Sequence, residues 1–98
     1  MVKRTQASGE PQIENDAIIV TRWDFAAGAE TGHHFHAYPN IVVPLTDGKV
    51  MIEDATGNHQ GEMRRGRSYA RPAGIEHNVI NAGTEPLSFV EIELKQQR

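Results

Sequence analysis

The sequence lacks several features, and each absence removes a class of structure. It contains no cysteine, so the fold has no disulfide framework and any metal ligands must be nitrogen or oxygen atoms. No stretch approaches the ~20 consecutive apolar residues of a transmembrane helix, and the polar residues 1–16 lack the apolar segment of a secretion signal. We therefore expect a cytoplasmic protein with no membrane partner.

The chain also lacks an excess of charge of either sign. Its 10 lysine and arginine residues stand against 13 aspartate and glutamate residues, which gives a formal net charge of -3. That balance provides none of the concentrated positive charge that binds polyanions. We expect a small-molecule ligand or substrate and no nucleic acid.

The length of 98 residues suits one domain. Residues 1–12 combine charged side chains with Gly9 and Pro11 and show no hydrophobic periodicity, which predicts a flexible N-terminal arm before a domain at residues 13–98. A domain of this size buries only about 60 to 65% of its unfolded surface. A bound metal ion or a second copy of the chain would add to its stability.

What the chain does have is a series of short β-rich runs separated by glycine and proline. Turn residues recur about every 8 to 12 residues from Ala17 onward, which is typical of an all-β sandwich or barrel. No segment has the periodicity of a long helix. The predicted strands are AIIVTRWDF, HHFHAY, NIVVPL, KVMIED, NHQGEMR, SYAR, HNVIN and LSFVEIEL.

Two turns and the faces of the last strand can be assigned in more detail. Asp47-Gly48 favours a tight hairpin with positive φ angles, and a second turn is predicted at residues 55–58. In the strand at residues 87–94, the odd-numbered positions carry Phe89 and two glutamates, whereas Val90, Ile92 and Leu94 form an apolar stripe. We expect this strand to bury one of its faces.

The run at residues 41–45 is apolar on both faces of its predicted strand. The face turned away from the barrel interior must therefore also be covered. Pro44 cannot donate a ladder hydrogen bond, so we expect it at a sheet edge, a bulge or a gap in the pairing. We expect the outward face of this strand to form a homodimer interface.

A pair of histidines marks a candidate metal site. His34 and His36 lie two residues apart in a predicted strand, so both imidazoles point to the same face. Neutral imidazole binds first-row transition metal ions well. His33 has the opposite parity and would be a ligand only if a bulge intervened.

Two motifs resemble those of the cupin family. GAETGHHFH, which begins at Gly28, resembles the start of the first cupin motif, and GRSYARPAGIEHNVIN, at residues 66–81, resembles the second at every spacing. The resemblance covers residues 17–94 and implies a single-domain jelly-roll β-barrel. It also implies one divalent metal ion held by His34, His36 and His77, without distinguishing Fe, Mn, Zn or Ni.

VVPLTDG and RPAGIEHNVINAG are similar to a short cupin subgroup that includes proteins named for β-alanine degradation. This similarity implies a role near the metabolism of small amino acids or carboxylates.

The usual cupin glutamate is missing. It stands three or four residues beyond the second histidine of the first motif, where this chain has Asn40 and Ile41. Asn40 is a fourth ligand through its amide oxygen, a group that holds a water beside the ion, or a residue that only fills the position of the glutamate. Three neutral imidazoles would leave the charge of the ion uncompensated and leave coordination positions open.

Candidate substrate contacts are Arg71, Tyr69 and Tyr38. The guanidinium of Arg71 would hold a carboxylate-bearing substrate if it points into the mouth of the barrel, and the tyrosines would line that mouth. The non-functional alternative is that Arg71 lies in a solvated turn near Gly66 and that the tyrosines only pack in the core.

The residues and the resemblance together favour a small metalloenzyme of oxygenase type that acts on a small, carboxylate-like organic substrate. Two alternatives stay open. One is a metal-dependent isomerase or hydratase, which zinc or manganese would support. The other is a non-catalytic binding or sensing cupin, because no carboxylate, cysteine or lysine occupies a motif position.

Overall fold

The computed structural model describes residues 3–95, which fold into nine β-strands. The strands are β1 (Ser8–Glu14), β2 (Ile18–Phe25), β3 (His34–Phe35), β4 (Asn40–Pro44), β5 (Gly48–Asp54), β6 (Gly57–Met63), β7 (Tyr69–Arg71), β8 (Glu76–Asn81) and β9 (Leu87–Leu94). These residues include no helix, which confirms the all-β prediction. A helix of the length and apolarity needed to cross a membrane is accordingly not found in the described part of the chain.

The strands form two antiparallel sheets. The larger sheet has the order β1-β2-β9-β4-β7, and the smaller has the order β3-β8-β5-β6. Spatial neighbours are mostly distant in sequence, since the last strand, β9, lies between β2 and β4. The two sheets enclose one core, as predicted for a single jelly-roll domain.

The core consists of apolar side chains that point inward from both sheets. Phe25, Leu87 and Phe89 are at most 4% exposed, and the rings of Phe25 and Phe89 are 5.5 Å apart between centroids. The odd-numbered residues of β9 therefore face the core, although its even-numbered residues are the more apolar set. This register carries Glu91 into the interior of the protein.

The outward face of the larger sheet is apolar along three adjacent strands. Val20 of β2, Ile92 of β9 and Ile41 of β4 are register neighbours, and their parity turns them away from the core. Val20 is only 8% exposed although it is not part of the core cluster. Ile13, its partner on β1, is 49% exposed. Pro44 lies beyond the end of the β4–β7 pairing, in a gap as predicted.

The prediction of an unstructured arm at residues 1–12 is wrong for the part that forms β1. This strand pairs with β2 through a bulge between Pro11 and Ile13. Ala7, just before it, is buried, and its amide donates to the Glu30 carbonyl at 2.7 Å. Every residue of β1 is exposed, so no hydrophobic alternation marked it in the sequence. The first two residues lie outside the described range.

The hairpin predicted at Asp47-Gly48 is also wrong. β4 and β5 belong to different sheets, so this segment crosses between them, and Gly48 does not have a positive φ. Glycine is needed there for space, because a Cβ atom would collide with Cδ1 of Leu87. The second predicted turn is confirmed as the β5–β6 hairpin, in which Gly57 has a φ of 119°.

Candidate metal centre

Three histidines from two separate stretches of sequence meet inside the barrel. His34 in β3 is the direct antiparallel partner of His77 in β8. His36 follows β3, and its amide donates to the Ile75 carbonyl while its own carbonyl accepts from the Gly74 amide, each at 2.8 Å. Gly74 has a φ of 92°, a conformation that favours glycine. The turn before β8 therefore places both His36 and His77.

The Nε2 atoms of the three rings converge. Nε2 of His36 lies 2.9 Å from Nε2 of His34 and 3.0 Å from Nε2 of His77. The ring planes cross at 83°, 71° and 90°, so the three imidazoles are close to mutually perpendicular. His36 and His77 are buried and His34 is half-buried, which keeps the point of convergence away from bulk water.

A hydrogen bond at Nδ1 of His34 determines which of its ring nitrogens has the free lone pair. Nδ1 of His34 lies 2.9 Å from the Gly32 carbonyl, which only accepts, so Nδ1 carries the proton and Nε2 of the neutral ring presents its lone pair. Nε2 of His36 is close to Nε2 of both other rings, but in a neutral ring it has either one proton or one lone pair. It therefore cannot form good hydrogen bonds to both neighbours. A cation, in contrast, accepts the lone pairs of all three nitrogens.

The spacing of the ring nitrogens suits a shared ion. Neighbouring ligand atoms of an ion with bonds of ~2.1 Å lie about 3.0 to 3.4 Å apart. Two of the three Nε2 separations are 2.9 and 3.0 Å, close to this range. An ion held by three imidazoles would have further positions for water or substrate.

The electrostatics keep the histidines in their metal-binding form. Burial, followed by the charges of the neighbouring His34 and Arg71, lowers the pKa of His36 to about 4. Burial likewise lowers the pKa of His77 to about 4, with His34 as the next cause. Both rings are therefore neutral at pH 7, which is the form that binds metal ions.

A polar network behind the site holds the loop that orients His34. Oδ1 of Asn78 accepts from the Gly32 amide at 2.9 Å, and its Nδ2 donates to Oε1 of Glu30 at 2.7 Å and to Oε1 of Glu53 at 3.1 Å. Asn78 is 3% exposed, so this buried amide has partners for both its atoms. The network fixes the carbonyl that in turn sets the tautomer of His34.

The imidazoles open into a cavity between the two sheets. Arg71 and Tyr69 line it, and the guanidinium carbon of Arg71 lies 5.4 Å from the centre of the Tyr69 ring. Tyr38 is half-buried and lies outside this lining, and His33 is exposed and separate from the three converging rings. The remaining lining side chains are Trp23, Thr31, Asn40, Val42, Ile52, Met63, Val79, Phe89 and Glu91.

Asn40 is the least satisfied polar group in the cavity. It is 1% exposed, and neither its amide nitrogen nor its amide oxygen has a hydrogen-bond partner among the described residues. A buried amide without partners costs stability, so both atoms are available to a molecule or ion in the cavity. Whether Asn40 contacts the ion or a water beside it stays a prediction.

Glu91 is the functional candidate that the sequence interpretation missed. It is 8% exposed, and its Oε2 lies 3.8 Å from Nε2 of His36. Burial, followed by the charge of Glu93, raises its pKa to about 7. Since the pKa of His36 is about 4, the two groups are neutral together between these values, and their contact is not an ion pair. Its position two residues after Phe89 could have indicated it, because residues 89 and 91 lie on the same face of a strand.

The fold and the centre together define a small jelly-roll barrel with a three-histidine cluster inside it. Residues 21–93 match the family described as "Cupin domain". The chain therefore belongs to the cupin family. Cupins commonly bind a metal, and the donor set described above fits one divalent ion.

Two relatives resemble the chain along its whole length. It is 47% identical over 95 residues to the beta-alanine degradation protein BauB of Pseudomonas aeruginosa, and the match covers 97% of this chain and 100% of that protein. A crystal structure of a cupin domain from Bordetella pertussis superimposes with a TM-score of 0.95 at 44% identity, covering 98% of this chain and 100% of the other.

A more distant structure shows the fold alone. A double-stranded β-helix protein from Klebsiella pneumoniae has a TM-score of 0.77 at 19% identity, with 97% of this chain and 77% of that chain covered.

Proposed function

We propose that the chain is a metal-dependent cupin enzyme of oxygenase type that acts on a small organic compound bearing a carboxylate. The observation that carries this proposal is the convergence of three imidazole Nε2 atoms, two pairs of which are 2.9 and 3.0 Å apart. This spacing suits an ion that keeps open positions. When bound, a redox-active ion such as iron would supply a place for oxygen and substrate side by side.

The side chains of the cavity support a carboxylate-bearing substrate. Arg71 is the basic group of the lining, and it offers paired donors that match a carboxylate. Asn40 contributes an unpartnered donor and acceptor to the same cavity. Val42, Ile52 and Phe89 exclude water from the remaining wall. The name of the relative in Pseudomonas aeruginosa, which refers to β-alanine degradation, agrees with a small amino acid or carboxylate.

The test begins with protein purified without a metal-affinity tag. Elemental analysis is followed by oxygen-uptake assays on small thiols, diketones and carboxylates. We expect one divalent ion per chain, its loss in H36N, and its retention in H59N, since His59 is about half exposed on the β5–β6 hairpin and bonds Asp54. Stoichiometric iron with oxygen uptake supports an oxygenase.

Other outcomes of that test contradict the proposal in different ways. Bound zinc or manganese without oxygen uptake favours an isomerase, a hydratase or a sensing module. Wild-type protein that holds no metal and takes up none when it is added overturns every metal-dependent function.

We also propose that two copies of the chain associate through the outward face of the larger sheet. Ile41 and Ile92 are neighbours on this face and are half-buried. Val20 continues the row but is only 8% exposed, and its partner Ile13 on β1 is 49% exposed. Association through this face would remove the partly exposed isoleucines from water. A second copy would cover the same residues on both chains, as a two-fold interface requires. Sedimentation that gives a monomer at micromolar concentration would overturn this proposal.

A further inference from the structure

A metal centre made of three histidines alone has no negative charge. The position that carries a glutamate in most cupins holds Asn40, whose amide is neutral and lacks a hydrogen-bond partner in the described structure. A divalent ion in a buried site is strongly favoured by an anionic ligand, because the surrounding protein screens charge poorly. Another carboxylate at the site would supply the negative charge that Asn40 lacks.

Glu91 is placed to be that carboxylate. It comes from β9, outside both sequence motifs, and its register opposite Val42 turns it into the same cavity as the histidines. It is 8% exposed. Potential ligand atoms of His36, Glu91 and Glu93 lie within 4.8 Å of one another, and those of the three histidines form a second such group, so His36 is common to both.

Glu91 is near one of the three histidines in this structure. Its Oε2 lies 3.8 Å from Nε2 of His36, but it does not join the group in which the ligand atoms of His34, His36 and His77 lie within 4.8 Å of one another. Two ligand atoms of one ion with bonds of ~2.1 Å are at most about 4.2 Å apart. Coordination of the same ion therefore requires the Glu91 side chain to change rotamer and turn towards the other two imidazoles.

The charge environment of Glu91 points the same way. Within residues 3–95, no lysine or arginine forms an ion pair with it, and the one basic group at ion-pair distance is His36. A buried carboxylate without a cationic partner is costly in the folded state. A bound divalent ion provides that partner, so the carboxylate and the ion would stabilise each other.

We propose that Glu91 is a protein ligand of the metal ion and replaces the glutamate that the family places at position 40. This inference rests on the proposed metal-dependent function. It predicts a three-histidine, one-carboxylate centre in which the carboxylate comes from the last strand of the barrel.

The test compares Co²⁺ binding to wild-type protein, E91Q and E85Q. Co²⁺ alone is the probe, followed by calorimetry and by its visible absorption, which reports coordination. Glutamine is nearly isosteric with glutamate, and circular dichroism checks that each variant is folded. Glu85 is the control, because its replacement removes the same charge from an exposed position outside the cavity lining and outside both groups of potential ligands.

We expect E91Q to weaken Co²⁺ binding by at least tenfold, since even residues that only orient a ligand typically cost about 10- to 100-fold. The absorption spectrum of bound Co²⁺ should change in E91Q and stay unchanged in E85Q. Wild-type affinity and spectrum in E91Q would overturn the proposal while leaving the three-histidine centre intact. Equal losses in E91Q and E85Q would also overturn it, because the general loss of one negative charge would then explain both. Wild-type protein that binds no Co²⁺ would instead overturn the proposed function itself.

Discussion

Replacing Glu91 with glutamine should change how the stability of the metal-free protein depends on pH. Burial, followed by the charge of Glu93, raises the pKa of Glu91 from 4.5 to about 7 in the folded protein. A raised pKa contributes stability that is fully present below pH 4.5 and is lost as the pH rises through about 7. E91Q has no proton to lose at this position. Its free energy of unfolding should therefore rise relative to that of the wild type between pH 4.5 and about 7.

The size of the effect follows from the shift. At about 1.4 kcal/mol per pKa unit, the shift from 4.5 to about 7 corresponds to about 3 kcal/mol, as an order of magnitude for a largely buried group. The lowered pKa values of His36 and His77 make both proteins less stable as the pH falls from 6.5 towards about 4. Because both proteins contain these histidines, their contribution largely cancels in the difference.

The assay is urea unfolding followed by circular dichroism at several pH values between 4 and 8, with chelator present throughout. We expect the difference in unfolding free energy, E91Q minus wild type, to increase by about 3 kcal/mol over this range. A difference that stays constant would show that Glu91 titrates as it does in water. The reasoning from the burial of Glu91 would then be wrong.

Three further outcomes follow from the structure. R71A should raise KM for the substrate more than it lowers kcat, because Arg71 is expected to bind the substrate and not to take part in the reaction; steady-state kinetics that show unchanged constants would contradict this role. I92K should convert a dimer to a monomer in sedimentation, since it places a charge in the middle of the outward apolar row; a dimer that persists would locate the interface elsewhere. G48A should lower the free energy of unfolding by about 1 to 3 kcal/mol, because the added methyl group collides with Leu87. The control G83A meets no atom closer than 3.5 Å and should cost less, and G48A combined with L87A should cost less than the two changes added together.

The strands and the histidine cluster could be predicted because their signals are local or follow a fixed spacing. Alternation and turn residues marked β2 and the later strands to within a few residues. His34 and His36 share a strand face by parity alone. His77 was found through the motif, and the structure confirms that the three rings meet.

Other features depended on contacts between distant parts of the chain. β1 has no hydrophobic pattern, so its pairing with β2 was visible only in the fold. Asp47-Gly48 has the composition of a hairpin turn, yet the flanking strands pair with other partners in different sheets. In both cases, long-range pairing decided what the local sequence left open.

The sequence by itself determined the class of fold and the three imidazoles, since side-chain alternation and motif spacing are properties of neighbouring residues. Only the tertiary structure decided which face of β9 points inward, because that depends on how β2 and β4 flank it in the sheet. That choice turns the half-buried apolar stripe of Val90 and Ile92 to the outer face of the sheet and carries Glu91 to within 3.8 Å of His36.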